Sequence, residues 1–380
     1  MTMLINPDRL ALTFTTLCEI DSPARKEGKL AGYLKNIFSR MGADEIIEDG
    51  SAPLTGSDCG NLIIRFKGKR LPLQPIFFNC HMDVISPCQG VKVQFHDGLF
   101  SSRGETVLGG DDKGGIAILV EAMQTLLDHE SPHGPVEFVF TTCEEIGLLG
   151  AKAFDADLLS ARMGYALDST GVDVAIAGAP AAKYIIARIS GLAAHAGLHP
   201  EQGISAIQIA SQAVSRLQLG RLDDESTANI GLISGGSATN IIPEHVELRG
   251  EVRSHSESKL KKYLDDIERI FAQVVEQWPL PKGIKQPPSL SFETPDQYPL
   301  MHLHPDSTVL RRINSAASSL SRHIPFIRAG GGSDANILNS YGLETAILGI
   351  GMTDVHTTHE TICLDDMVRT AELVISLLTS

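Results

Sequence analysis

The 380-residue chain has no CxxC pair, no dense block of lysine and arginine, no GxGxxG turn and no internal repeat or low-complexity segment. Each absence closes a route. The six cysteines, Cys18, Cys59, Cys80, Cys88, Cys143 and Cys363, are scattered, which argues against a disulfide framework or a thiolate zinc knot. They read as small buried hydrophobes, although Cys80 and Cys143 each precede an acid or histidine cluster. With a formal charge of -14 spread along the chain and no basic patch to offset it, nucleic acid is not an expected partner. No run of about 18 apolar residues occurs, and Met1 to Leu10 lacks a basic stretch followed by an apolar one. The expectation is a soluble cytoplasmic protein with no membrane partner. The triple glycine Gly330 to Gly332 is not followed by Lys-Ser/Thr, so a phosphate cradle is not expected there either.

The chain does have 43% apolar residues and 35 glycines over a length that exceeds one usual core, which points to two domains. In the first half, strand and helix signals alternate, as a mostly parallel α/β sheet with helices on both faces requires. Pro75 to Cys80 and Val136 to Thr142 are apolar runs, and Gly114 to Leu127 carries apolar residues at helical spacing. Between about Pro180 and Pro288 the texture changes: Tyr184 to Ile189 and Val246 to Val252 read as strands, and Ser256 to Gln277 as an amphipathic helix. The Pro-rich PLPKGIKQPP then reads as the return to the first domain. The expected organisation is a catalytic domain over 1–179 and 289–380, interrupted by a smaller α+β lid or dimerisation domain over 180–288. A last helix is expected from Asp365 as N-cap to Leu378.

Five acid and histidine clusters stand where strand-like runs stop: His81-Met82-Asp83, Asp111-Asp112, Glu144-Glu145, Asp168 and His356 to Glu360. Ligands in open α/β sheets collect beyond the carboxyl ends of strands. Oxygen and imidazole ligands gathered there suit a hydrolytic site with two divalent cations that share a carboxylate and activate one water. Asp111, in a glycine-rich turn, is the natural bridge. Each metal then needs an imidazole and a further carboxylate, supplied as His81 with Asp168 and His356 with Glu145. Asp83 is placed to fix the His81 imidazole, and Glu144 suits a general base that carries a proton to the leaving amine. His359 competes with His356, and the HxxxE spacing favours His356.

HMDV, GGDDKGG, TTCEEIG, LDST, AAHAG, GGSATNIIPE, GGGSDAN and the HxxxE at His356 run in order along nearly the whole chain. Together they resemble the M20 family of cocatalytic metallopeptidases, in its peptidase T-like branch. The resemblance implies a two-zinc catalytic domain interrupted by a lid, acting on a peptide or other amide bond; by ligand chemistry alone, a His/carboxylate site accepts manganese or cobalt as well as zinc. It assigns His81, Asp111, Glu145, Asp168 and His356 to metal, Asp83 to orienting His81 and Glu144 to acid-base catalysis. By the same resemblance His195 stabilises the oxyanion, Asn240 and Arg253 hold the substrate, and Ser333 and Asp334 belong to a substrate-facing loop where the acid meets a free amino terminus. The aspartate at 168 resembles the aminopeptidases of the family, which tilts the expectation toward an aminopeptidase on short peptides; a homodimer through the lid is the candidate assembly. An N-acyl amino acid deacylase and an inactive metal-bound binding protein are the alternatives. The resemblance also implies a cis Asp111–Asp112 peptide.

Overall fold

A computed structural model describes residues 5–380; Met1 to Leu4, part of the N-terminal stretch considered above, lie outside the described residues. The chain divides into two compact units, one made of the chain up to Gly178 together with Met301–Ser380, the other of Ala179–Leu300.

In the first unit four strands lie side by side and parallel, in the order Val136–Thr141, Ile76–His81, Met163–Thr170, Glu344–Thr353. Ile76–His81 and Val136–Thr141 are buried along their whole length, which is why they read as continuous apolar runs rather than as alternating patterns. Antiparallel strands flank them, Leu62–Phe66 on Val136–Thr141 and Thr361–Cys363 on Glu344–Thr353. Phe138 and Phe140, two residues apart and therefore on one face of their strand, take the ring of Phe38 at centroid distances of 5.5 and 5.7 Å. Phe38 belongs to the amphipathic helix Gly28–Arg40, whose buried stripe is Leu30, Ala31, Leu34 and Phe38.

The helical segment Gly110–Asp128 packs on Ile76–His81 and Met163–Thr170. Asp111 and Asp112 within it depart from helical φ and ψ, so the regular helix begins behind the acid pair. Their peptide bond is cis. The last helix spans Leu364–Thr379 with Cys363 at the N-cap, not Asp365. Asp365 and Asp366 instead occupy the first turn, where a carboxylate favourably meets the helix dipole.

The second unit is an antiparallel sheet in the order Gly220–Asp223, Ser226–Gly235, His245–Ser254, Ala181–Ser190, Ser289–Glu293. Helices Ala206–Val214 and Glu257–Glu276 pack against it. The second helix starts at the Ser256 cap, whose hydroxyl accepts the N–H of Lys259, and buries Leu260, Leu264, Ile267, Phe271 and Val274, the stripe the sequence pattern predicts. The unit does not close at 288 as expected from the proline-rich stretch. Ser289–Glu293 and Asp296–Tyr298 both pair with Ala181–Ser190, so the chain stays in this unit to Leu300. No helix among the described residues is long and apolar enough to cross a membrane.

Phe271 is fully buried in the core of the second unit. Phe271→Ala should cost about 3–5 kcal/mol of that unit's stability, seen as a lower unfolding midpoint in denaturant titrations. A change under about 1 kcal/mol would mean that this helix is not held by its buried stripe.

Candidate metal centre

The carboxyl ends of the four parallel strands put His81, the Glu144-Glu145 turn, Asp168 and the His356 turn in one place, and the turn before the helical segment adds Asp111. Asp111 lies between two imidazoles. Its Oδ1 is 3.0 Å from His81 Nε2, and its Oδ2 is 3.2 Å from His356 Nε2. His356 Nε2 is also 3.1 Å from Glu145 Oε2. Donor atoms of His81, Asp111 and Glu145 all lie within 4.8 Å of one another. His359 is exposed and only its backbone N–H bonds back to Thr357, so the turn aims His356, not its neighbour, at the acids. Both His356 and Cys143 hold positive φ, 64° and 54°, a strained state for a side chain with a Cβ that is common at functional turns.

The electrostatics follow from crowding. Burial pushes the Glu144 carboxyl well above the ordinary range, reinforced by the charges of Asp168, Asp334 and Glu145. Burial and the Asp111 charge do the same to Asp168, and burial raises Glu145. Asp111 goes the other way: burial opposes its charge, but His356 and His81 hold it well below the usual carboxylate range. In return Asp111 and Glu145 push His356 up to about 10. His81 is also raised, because Asp111 and Asp83 outweigh the cost of burying its charge. A carboxylate oxygen facing an imidazole lone pair at 3 Å needs something positive between them, a proton or a cation. Glu145 Oε1 is moreover buried without a hydrogen-bond partner. The donor set, imidazole nitrogen and carboxylate oxygen around a shared carboxylate, therefore fits divalent cations.

Asp83 is placed differently from the sequence expectation. His81 Nδ1 meets the backbone carbonyl of Asp83 at 2.9 Å, while the Asp83 carboxylate stands 3.6 Å from the ring. Its two oxygens instead accept the N–H groups of Glu144 and Glu145, at 2.9 and 3.1 Å. So residue 83 fixes the His81 ring through its carbonyl and shapes the Glu144-Glu145 turn through its side chain. Ser333 is a helix cap: its hydroxyl accepts the N–H of Ala335, and Asn336 closes the capping box. Asp334 is 2% exposed, with one oxygen held by the Thr141 hydroxyl and the other unpartnered.

Within the second unit, His195 and Asn240 lie on neighbouring turns, joined by the Ala196 N–H donating to the Asn240 carbonyl at 2.9 Å. His195 Nδ1 accepts the N–H groups of Gly197 and Leu198, both at 3.2 Å, which leaves the proton of the neutral ring on Nε2. Arg253 pairs with Glu251 on its own strand, Nε to Oε1 at 2.8 Å. Two contributions escaped sequence reading: the Glu360 carboxylate, noted only for its spacing, and Glu27, whose Oε1 accepts the Cys143 N–H at 3.0 Å behind the acid turn. Nothing local to those residues signals such backbone partners.

A core of parallel strands with imidazole and carboxylate ligand types gathered at its carboxyl edge suits a hydrolase that holds divalent cations. Residues 181–279 match the model of the peptidase dimerisation domain of the M20 peptidases, and residues 61–212 match peptidase family M28. The chain is 36% identical to the crystal structure of aminopeptidase PepT from Bacillus cereus, with a TM-score of 0.88 over 99% of this chain and 98% of that one. It is 34% identical to a tripeptidase from Staphylococcus aureus, with a TM-score of 0.91 over 99% and 98%. An uncharacterized Bacillus subtilis protein, YqjE, is 37% identical over 99% of both chains. The chain belongs to the M20 family of peptidases, in its peptidase T-like branch.

With His81 and His356 as the candidate ligands, and both raised by the carboxylates beside them, a cation competes with protons there, so metal affinity should rise with pH. The raised carboxyls of Asp168 and Glu145 act in the same direction. Roughly tenfold per pH unit is expected for each displaced proton. Calorimetric zinc titrations at pH 6.5 and 7.5, in buffers of different ionisation enthalpy, read both the affinity and the proton release. Affinity independent of pH would contradict this electrostatic account.

Proposed function

We propose that the chain is a dimetal aminopeptidase acting on short peptides. The observation that carries the metal part is the position of Asp111, one oxygen toward His81 and the other toward His356. In this reading Asp111 bridges, His81 and Asp168 complete one side, and His356 and Glu145 complete the other. Two bound divalent cations, zinc first with manganese or cobalt as alternatives, would supply a Lewis acid and an acidified water.

The chain's own residues do the rest. Glu144 stands beside the ligand Glu145, and its raised proton affinity suits a group that must take a proton and later give it to the leaving amine. The Asp83 carboxylate, holding the backbone N–H groups of both glutamates, keeps the base and the ligand in fixed relation. His195, with its proton on Nε2, offers a donor for the developing oxyanion, and Asn240 and Arg253 offer polar contacts to the substrate. Ser333 enters as the cap that orients Asp334, the remaining acid for a free amino terminus. Cleavage from the amino end is supported by the similarity to the Bacillus cereus aminopeptidase, and a short peptide substrate by the similarity to the Staphylococcus aureus tripeptidase.

The M20 dimerisation match supports a second copy as partner. Ser226–Gly235 pairs on one side with His245–Ser254, and on the other with Gly220–Asp223 only as far as Ala228. Beyond that its outer edge has no strand partner among the described residues, and Leu232 and Ile233 on it are exposed. An open apolar edge is a template for pairing with another chain.

Glu144→Ala should lower peptide hydrolysis by about 10²–10⁴-fold with metal content unchanged. The assay is release of amino acids from di- and tripeptides beside N-acyl amino acids, with metal analysis of both proteins. Cleavage of N-acyl compounds alone would replace the aminopeptidase by a deacylase. No turnover of any substrate by metal-loaded wild type would favour a binding protein.

A further inference from the structure

Asp111 and His356 come from turns far apart in the chain, yet they meet at 3.2 Å, and the proposed His356 side of the centre rests on that contact. The residue that joins the two turns is Glu360. It is 2% exposed, and its carboxylate accepts three backbone N–H groups of a single stretch. Oε2 takes Leu108 at 2.9 Å and Gly109 at 2.8 Å, and Oε1 takes Asp111 at 2.8 Å, across 249 residues of sequence.

At its other end Glu360 is part of the His356 turn, its N–H donating to the Thr357 carbonyl at 3.2 Å. Thr361–Cys363, directly after it, is fastened on both sides, to Glu344–Thr353 and to Leu99–Ser102. The receiving turn is shaped for this carboxylate. Gly109 has φ of 78°, and a Cβ at Gly110 would stand 2.9 Å from Glu360 Oε1. Hydrogen bonds from amides to a carboxylate are about twice as strong as neutral ones, and three on one group make a stiff joint.

We propose that Glu360 is a positioning residue that sets the separation of Asp111 and His356 and thereby the affinity of the cation between them, without touching cation or substrate. The proposal rests on the dimetal reading above. Its alternative is a purely structural brace, for which the same unit supplies a comparison. Glu137 is 2% exposed, and its carboxylate accepts the backbone N–H groups of Ser160 and Ala161 and pairs with Arg65 at 2.7 Å, away from the strand ends that carry the site.

The test is zinc titration of the full chain, with the thermal midpoint of each metal-free protein measured alongside. Glu360→Gln replaces an accepting oxygen by an NH2 group facing backbone donors. Gly110→Ala keeps the carboxylate and pushes it from the other side, and so serves if the first variant fails to fold. Both are expected to weaken one of the two zinc sites by about 10–100-fold, the usual loss on removing a partner that orients a ligand. Glu137→Gln should lower the thermal midpoint and leave both zinc affinities alone. Wild-type affinity for both ions in either folded variant, or an equal loss in Glu137→Gln, would overturn the proposal. A wild type that binds no second ion would overturn the dimetal reading, and the proposal with it.

Discussion

Buried negative charge is the constraint around which the first unit is arranged. Asp83 and Asp334 are buried, Asp111 and Glu145 nearly so, and Glu144 and Asp168 stand beside them with raised proton affinity. Taking a carboxylate out of water costs several kcal/mol even after relaxation, and like charges at close range add to it. The cationic partners within reach are the imidazoles of His81 and His356. Lys113, although next to the acid pair, spends its ammonium on the Ile20 carbonyl at 2.7 Å. A site so charged is poor packing and good metal chemistry, and it is held open by its surroundings.

Those surroundings are the parallel strands and two carboxylates that collect backbone N–H groups. Adjacent parallel strands end at one edge of the sheet, so residues distant in sequence share that edge without long loops. Asp83 then ties the Glu144-Glu145 turn to the His81 strand, and Glu360 ties the Asp111 turn to the His356 turn. On the proposed reading neither carboxylate needs to meet a cation to matter, because each fixes the backbone from which a proposed ligand projects.

Much of this was legible in the residues. The fully buried strands betray themselves as apolar runs such as PIFFNC, and hard ligands placed at their ends identify Asp111, His81, His356 and Glu145 as neighbours from the sequence alone. The Ser256 helix is legible for the same reason, since its cap and stripe are local patterns. What was not legible depends on backbone partners far along the chain. Asp83 reads as a partner of the imidazole two residues away, yet its oxygens go to amides 61 and 62 residues on. Glu360 reads as spacing and proves to be a joint. The proline-rich stretch before Ser289 reads as an exit from the second unit, because edge strands as short as Ser289–Glu293 carry no signal beyond a brief alternation.

On the proposed reading one carboxylate, Asp111, is shared between two cations. Anomalous diffraction from crystals grown with zinc tests it most directly. Two peaks about 3.5–4 Å apart, the spacing of cocatalytic pairs, are expected, with one Asp111 oxygen beside each. A single peak, or two peaks that do not share Asp111, would contradict it.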